Sequence, residues 1–230
     1  MMDRNRIRAV YFDAVGTLLF PSRPALETYQ LLAREDGSSE SIEILSQRFR
    51  QAYNREEEID RANRWLTDEP REVLRWRRIV EATLPQLRDP ATGFQRLFAH
   101  YARADSWNVT AGAGQVLDTL TDRGLRLGMA SNFDARLADV VRHQPALSPV
   151  RHALIISSQV GFRKPAQAFF ERVIASADCP ASAILFVGDD LDNDFEGARA
   201  AGLVPVLFDP QDRYQSIRPR IHSLLELLAD

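Results

Sequence analysis

The residues able to do chemistry stand where short apolar runs stop. Asp13 closes the run Ile7–Phe12 and is followed by Gly16 and Thr17. Ser131 and Asn132 follow Leu125–Ala130, while Gly161, Arg163 and Lys164 come soon after Ala153–Ile156 and just ahead of Pro165. Asp189, Asp190, Asp192, Asn193 and Asp194 follow Ala183–Val187. Carboxylates gathered in one place repel one another, and some hold their protons unless a cation sits between them. Such hard oxygens suit Mg²⁺, which keeps several waters and takes its other ligands from a few carboxylates and a substrate phosphate. A lysine offsets surplus negative charge, and a hydroxyl with free backbone N–H groups can hold phosphoryl oxygens. A carboxylate relieved of its counter-charge by a metal can attack phosphorus and carry an aspartyl phosphate. Each residue alone has a plainer reading: Asp as turn former or N-cap, Lys164 as an exposed side chain, Asp189–Asp194 as a capped helix start. The joint pattern carries the weight.

Positioning these groups requires a scaffold, and the chain's texture supplies one. From about residue 110 onward, strand and helix patterns alternate. Helices are predicted over Gln115–Arg123, Ala135–His143, Ala166–Ala177, Asp194–Ala201 and Ile221–Leu228. Strands are predicted over Leu125–Ala130, Ala153–Ile156, Ala183–Val187 and Val204–Phe208. Apolar strands alternating with helices across short connections imply a parallel sheet covered on both faces. In such a sheet, ligands bind beyond the carboxyl ends of the strands, where the polar residues fall. The first strand joins this sheet. Residues 21–106 show no convincing strand and read as amphipathic helices over Ala25–Arg34, Ile42–Asp60, Arg71–Leu84 and Gly93–Ala104. The expectation is therefore a doubly wound α/β core formed by residues 1–20 and 107–230, with a helical insertion at 21–106.

Within the insertion, the runs Arg55–Glu58 and Arg75–Arg78 read as solvated faces, and Trp65 and Trp76, like Trp107 just beyond it, as core fillers. The 230 residues carry a net charge of −3 and no polybasic tract, which gives no electrostatic footprint for nucleic acid. The single cysteine, Cys179, has no internal disulfide partner and fits a reducing compartment. No apolar run has bilayer-spanning length, and the charged segment Met1–Arg8 argues against a signal peptide. A cytoplasmic protein without membrane or nucleic-acid partners is expected, monomeric or homodimeric.

Asp13-Ala14-Val15-Gly16-Thr17 resembles the first motif of the haloacid dehalogenase-like hydrolase superfamily, an Asp-x-Asp-Gly-Thr pattern after an apolar strand. Ser131 resembles the second motif, Lys164-Pro165 the third, and Gly188-Asp189-Asp190 with Asp194 the fourth. Their order, with a long gap between the first two, resembles members that carry a helical C1-type cap. The resemblance implies Asp13 as nucleophile and metal ligand, with the Val15 backbone carbonyl and Asp189 completing the protein ligands for Mg²⁺. It implies phosphoryl contacts from Ser131 and the Asn132 N–H near Gly16 and Thr17, and a Lys164 anchored by Asp194, with Asp190 in a lesser role. Phosphatases of this family usually have a second aspartate where this chain has Val15, and valine can neither protonate a leaving group nor activate water. The implied activity is thus phosphatase action on a small phosphorylated metabolite, slowed unless a cap residue such as Glu27, Glu56, Glu57 or Glu58 substitutes. A metal-binding protein of weak activity and a 2-haloacid dehalogenase are the alternatives. Phosphonate cleavage would need a cap lysine, and residues 21–106 contain none. The arginines Arg23, Arg34, Arg48, Arg50 and Arg55 are the insertion's candidate anion clamps.

Overall fold

A computed structural model describes residues 6–229. The signal-peptide reading of Met1–Arg8 therefore lies mostly outside the described residues. Six parallel strands form one sheet in the order β5-β4-β1-β6-β7-β8. They are β1 (Ala9–Phe12), β4 (Arg126–Ser131), β5 (Leu154–Ile156), β6 (Ile184–Gly188), β7 (Val204–Phe208) and β8 (Arg220–Ile221). The chain builds outward from β1 on one side through β4 and β5, then crosses to β6 on the other. That reversal places the ends of β4, β1 and β6 side by side, the crevice where α/β sheets bind ligands.

Alternation along β1 divides the core. Val10 and Phe12 pack into one apolar cluster with Val116, Leu117, Leu137 and Val140. Ala9 and Tyr11 pack into a second with Phe169, Phe170, Val173 and Phe186. The first cluster is closed by α5 (Ala113–Asp122) and α6 (Arg136–Arg142), and the second by α8 (Gln167–Ala177) and α9 (Gly197–Ala200). A one-turn helix, α7 (Ser157–Val160), follows β5. With both faces covered, every residue of β1 is buried, as its unbroken apolar run requires.

Four helices occupy the insertion: α1 (Ala25–Glu35), α2 (Ile42–Ala62), α3 (Glu69–Thr83) and α4 (Pro90–His100). Asp68 caps α3 by accepting from the Arg71 N–H at 2.8 Å, and Asp89 caps α4 by accepting from the Thr92 N–H at 3.0 Å. Each is followed within two residues by a proline, whose missing N–H costs nothing in the first helical turn. The insertion has its own apolar centre, including Leu32, Leu45, Val80, Leu84 and Phe94. The chain enters and leaves it through a two-stranded antiparallel ribbon, β2 (Leu19–Pro21) against β3 (Trp107–Val109). These three-residue strands are too short to show an alternation, so the sequence did not reveal them.

Two predicted helices are corrected. Ile221 belongs to β8, and only Leu224–Leu228 coils, as a 3-10 turn capped by Ser223. The turn expected to start at Asp194 begins at Leu191 as a wide π-type turn, because the Asp190 carboxylate accepts from the N–H groups of Asp192 and Asn193. No helix among the described residues is long and apolar enough to cross a membrane.

Candidate active site

Asp13, Ser131 and Asp189 stand at or just beyond the ends of β1, β4 and β6, with Asp194 one turn further on. The loop after α7 brings Lys164 among them. Lys164 is 2% exposed and is the chain's only lysine. Its three ammonium protons meet three acceptors: Asp13 Oδ1 at 2.6 Å, Asp194 Oδ1 at 2.6 Å and the Ala130 carbonyl at 3.1 Å. Burial opposes that charge, but Asp13 and Asp194 outweigh it and hold the ammonium well above the usual lysine range. The exposed-lysine reading of position 164 is therefore wrong.

Asn132 fixes the lysine's backbone from across the sheet end. Its Nδ2 donates to the Lys164 carbonyl at 3.0 Å, and its Oδ1 accepts from the Lys164 N–H at 2.7 Å. This two-point clamp was not anticipated from the sequence, where Asn132 was of interest for its own N–H.

Glycines set the spacing of the carboxylates. At Gly16, φ is 97°, and a Cβ there would overlap the Asp189 carboxylate. A Cβ on Gly188 would likewise strike the Asp194 side chain. Carboxylate oxygens of Asp13, Asp189 and Asp194 come within 4.8 Å of one another. Burial, with the charges of Asp13 and Asp190, pushes the Asp189 carboxyl up to about 7. Burial also raises Asp194, against the pull of Lys164. Three carboxylates against the Lys164 ammonium and the half-exposed Arg213, 3.8 Å from Asp189, still leave surplus negative charge, and all their donors are hard oxygen, which fits a divalent cation such as Mg²⁺. Both Asp194 oxygens are already engaged, by Lys164 and by the Asp190 N–H. The hydrogen bonds Leu19 N–H to Ala14 and Gly16 N–H to Leu19 close the turn without using the Val15 carbonyl. The Thr17 hydroxyl lies 3.5 Å from Asp189 Oδ1.

A cavity of about 360 Å³ opens from Asp13, Val15, Ser131 and Lys164 into the insertion. Val15 is 37% exposed at its wall. The insertion contributes rings rather than charges, among them Tyr29, Phe49, Tyr53, Trp76 and Phe98. Trp76 and Trp107 both face this space, which corrects their reading as core fillers alone; Trp65 does not line it. None of Arg23, Arg34, Arg48, Arg50 or Arg55 lines it, and Arg48 pairs instead with Glu40. Glu27, Glu56, Glu57 and Glu58 are absent from its wall as well.

Glu56 and Glu57 belong elsewhere. With Asp60 and Glu72 they form a buried ionic network with Arg71, Arg75 and Arg163. Arg163 donates to Glu72 at 2.5 Å, and Arg75 is 1% exposed. The solvated-face reading holds for Arg55, Glu58, Arg77 and Arg78 but fails for Arg75, Glu56 and Glu57. The loop between α2 and α3 is pinned to the same place, with the Thr67 N–H bonded to the Gly161 carbonyl and the Arg163 N–H to the Trp65 carbonyl.

The family model described as haloacid dehalogenase-like hydrolase matches residues 7–202. A human relative, haloacid dehalogenase-like hydrolase domain-containing protein 3, is 30% identical over 210 residues, covering 88% of this chain and 82% of its own length. Ribulose-1,5-bisphosphate 5-phosphatase of Halopiger xanaduensis is 28% identical over 129 residues, 56% of this chain and 54% of that enzyme. The solved structure of an L-2-haloacid dehalogenase superposes with a TM-score of 0.76 at 21% identity, covering 96% of this chain and 97% of the other. With the motif residues gathered at one sheet edge, the chain belongs to the haloacid dehalogenase-like hydrolases.

Proposed function

We propose that this hydrolase is a magnesium-dependent phosphatase of a small phosphorylated compound, with residues 1–20 and 107–230 as the core and 21–106 as a cap. The observation that carries the reading is the carboxylate cluster of Asp13, Asp189 and Asp194, two of them bonded to one buried ammonium. A dehalogenase attacking carbon has no need of a cation-binding cluster of this kind. The phosphatase activity named for the Halopiger relative points the same way. The single cysteine and net charge of −3 support a cytoplasmic setting with neither nucleic acid nor membrane as partner.

Asp13, the Val15 carbonyl and Asp189 would hold Mg²⁺, which when bound supplies the positive charge that offsets the carboxylates and the phosphoryl oxygens. The Asp13 carboxylate attacks phosphorus, and the ester P–O bond breaks with its electron pair leaving on the alcohol oxygen. The Ser131 hydroxyl and the Asn132 N–H hold phosphoryl oxygens, with Gly16 and Thr17 shaping the turn beside them. Lys164 neutralises charge on the nucleophile, and Asp194 positions Lys164. Water then attacks the aspartyl phosphate and releases inorganic phosphate. Val15 supplies no proton to the departing oxygen, which should slow release of strongly basic leaving groups by roughly 10²–10⁴-fold.

The test is p-nitrophenyl phosphate hydrolysis with and without Mg²⁺. Metal-dependent turnover that falls at least about 10³-fold in Asp13→Asn is expected. Equal inactivity of both proteins would favour a binding protein, and halide release from 2-haloacids without Mg²⁺ would favour dehalogenation.

A further inference from the structure

The cavity beyond Asp13 has a composition unlike the rest of the molecule. Nine of the chain's twenty Phe, Tyr and Trp residues line it. Several brace one another: Phe49 stacks on Tyr53 with centroids 6.2 Å apart, and Phe94 meets Phe98 at 5.2 Å. Braced rings make a wall whose shape is set before a ligand arrives. At about 360 Å³ the space is within the range of small-molecule sites.

Its cations are already engaged. Arg136 donates twice to Asp134, from Nε and Nη2, at 2.7 Å each, and lies over the Phe98 ring. Arg163 is paired with Glu72 and Lys164 with Asp13 and Asp194. Among the described residues, every lining cation already has a carboxylate partner, which leaves none unpaired for a second phosphate or a carboxylate on the substrate. The insertion's polar groups on the wall are the hydroxyls of Tyr29, Tyr53 and Tyr101 and the indole N–H of Trp76, few for a sugar rich in hydroxyls. No carboxyl group of the insertion lines the cavity, so the insertion brings no acid to replace the one missing at Val15.

We propose, on the phosphatase reading above, that the substrate is a phosphate monoester of a phenol-like alcohol, its aromatic ring seated among Tyr53, Trp76 and Phe98 and its phosphorus at Asp13. A phenol has a pKa of about 10, against about 15.7 for water, so it leaves as a phenolate without a general acid. Asp13 forms the new P–O bond, the aryl P–O bond breaks onto the phenolate oxygen, and that oxygen takes a proton from water. Hydrolysis of the aspartyl phosphate then yields inorganic phosphate and restores the carboxylate. Ring burial and leaving-group acidity thus select the same compounds.

Acetyl phosphate separates the two effects, since its leaving group is more acidic than a phenol but carries no ring. With Mg²⁺ present, kcat/KM for 1-naphthyl phosphate is expected to exceed that for acetyl phosphate by roughly tenfold or more. It should also exceed that for a hexose 6-phosphate. The naphthyl-to-acetyl ratio should fall roughly tenfold in Trp76→Ala. Ala25→Trp, which fills the cavity instead of opening its wall, should lower the same ratio. Hydrolysis of acetyl phosphate with no preference for the ring, or a preference for the hexose phosphate, would overturn this proposal and leave the phosphatase reading standing. No hydrolysis of any of the three would overturn both.

Discussion

Arg163 and Lys164 are neighbours in the chain and are both buried against carboxylates, yet their surroundings differ in kind. Around Arg163, four acids meet three arginines in fork-like pairings, most of their charge answered locally. Around Lys164, Asp13 and Asp194 share one ammonium, Asp189 has only the half-exposed Arg213 at 3.8 Å, and burial together with the neighbouring carboxylates raises the carboxyls of Asp189 and Asp194. The first cluster resembles a fastening between the insertion and the sheet, its charges paired although Glu72 Oε2 and Arg163 Nε have no hydrogen-bond partner. The second is electrostatically unfinished, as a site that must take a cation and a phosphate should be. The two side chains also suit their places. A planar guanidinium matches carboxylates spread over α2 and α3, whereas a compact ammonium points three donors at three oxygens converging on one atom.

Exchanging the cation at the site breaks the comparison hardest. Lys164→Arg keeps the charge but misplaces the donors, and hydrolysis of aryl phosphate should fall by about 10³-fold with the fold intact. Near-normal turnover in this variant would mean that charge alone suffices. Next in size is Arg163→Met, which leaves Glu72 buried without its ion-pair partner while Asp60 keeps Arg71 and Arg75. A loss of about 3–5 kcal/mol in urea unfolding is expected, the penalty for an uncompensated buried charge. A loss below about 1 kcal/mol would show that the network is solvated in solution and no fastening.

The smallest effect sharpens the contrast in net charge. The Asp189 carboxyl stands at about 7 in the native state, above the usual range near 4 for an unfolded chain. The native state therefore binds this proton more tightly, and that stabilisation is complete below pH 4 and lost as pH rises to about 7. In metal-free protein, wild type should lose melting temperature relative to Asp189→Asn between pH 5 and pH 8. Mg²⁺ should restore it at pH 8, where the ionised carboxylate binds the cation. Parallel melting curves for the two proteins, without metal, would refute the raising of this carboxyl by burial and by the neighbouring carboxylates.

What the sequence displayed and what it concealed follow from range. Asp13, Ser131, Lys164 and Asp189 were legible because each interrupts or follows an apolar run, and the alternation of runs implies which strand ends meet. The cavity was not legible. Phe49 and Tyr53 recur at helical spacing on α2 and Trp76 sits on α3, and such spacing is the same whether a ring faces a core or an opening. The Arg163 network was hidden for a similar reason, since Glu56, Glu57 and Arg75 sit in charge runs that usually face water, and only the packing of α2 on α3 buries them. One signal was available in plain composition. Among 29 Lys and Arg residues there is a single lysine, so the one position where arginine was not used marks itself.

That solitary lysine has a practical consequence. A reagent that modifies side-chain amines has one side-chain target in this chain, and it is 2% exposed with all three protons engaged. With the α-amino adduct set aside, ordinary surface labelling, which in most proteins is a blur of many adducts, would here read out a single event. The rate at which that amine becomes modified is a clock for how often the active site comes apart.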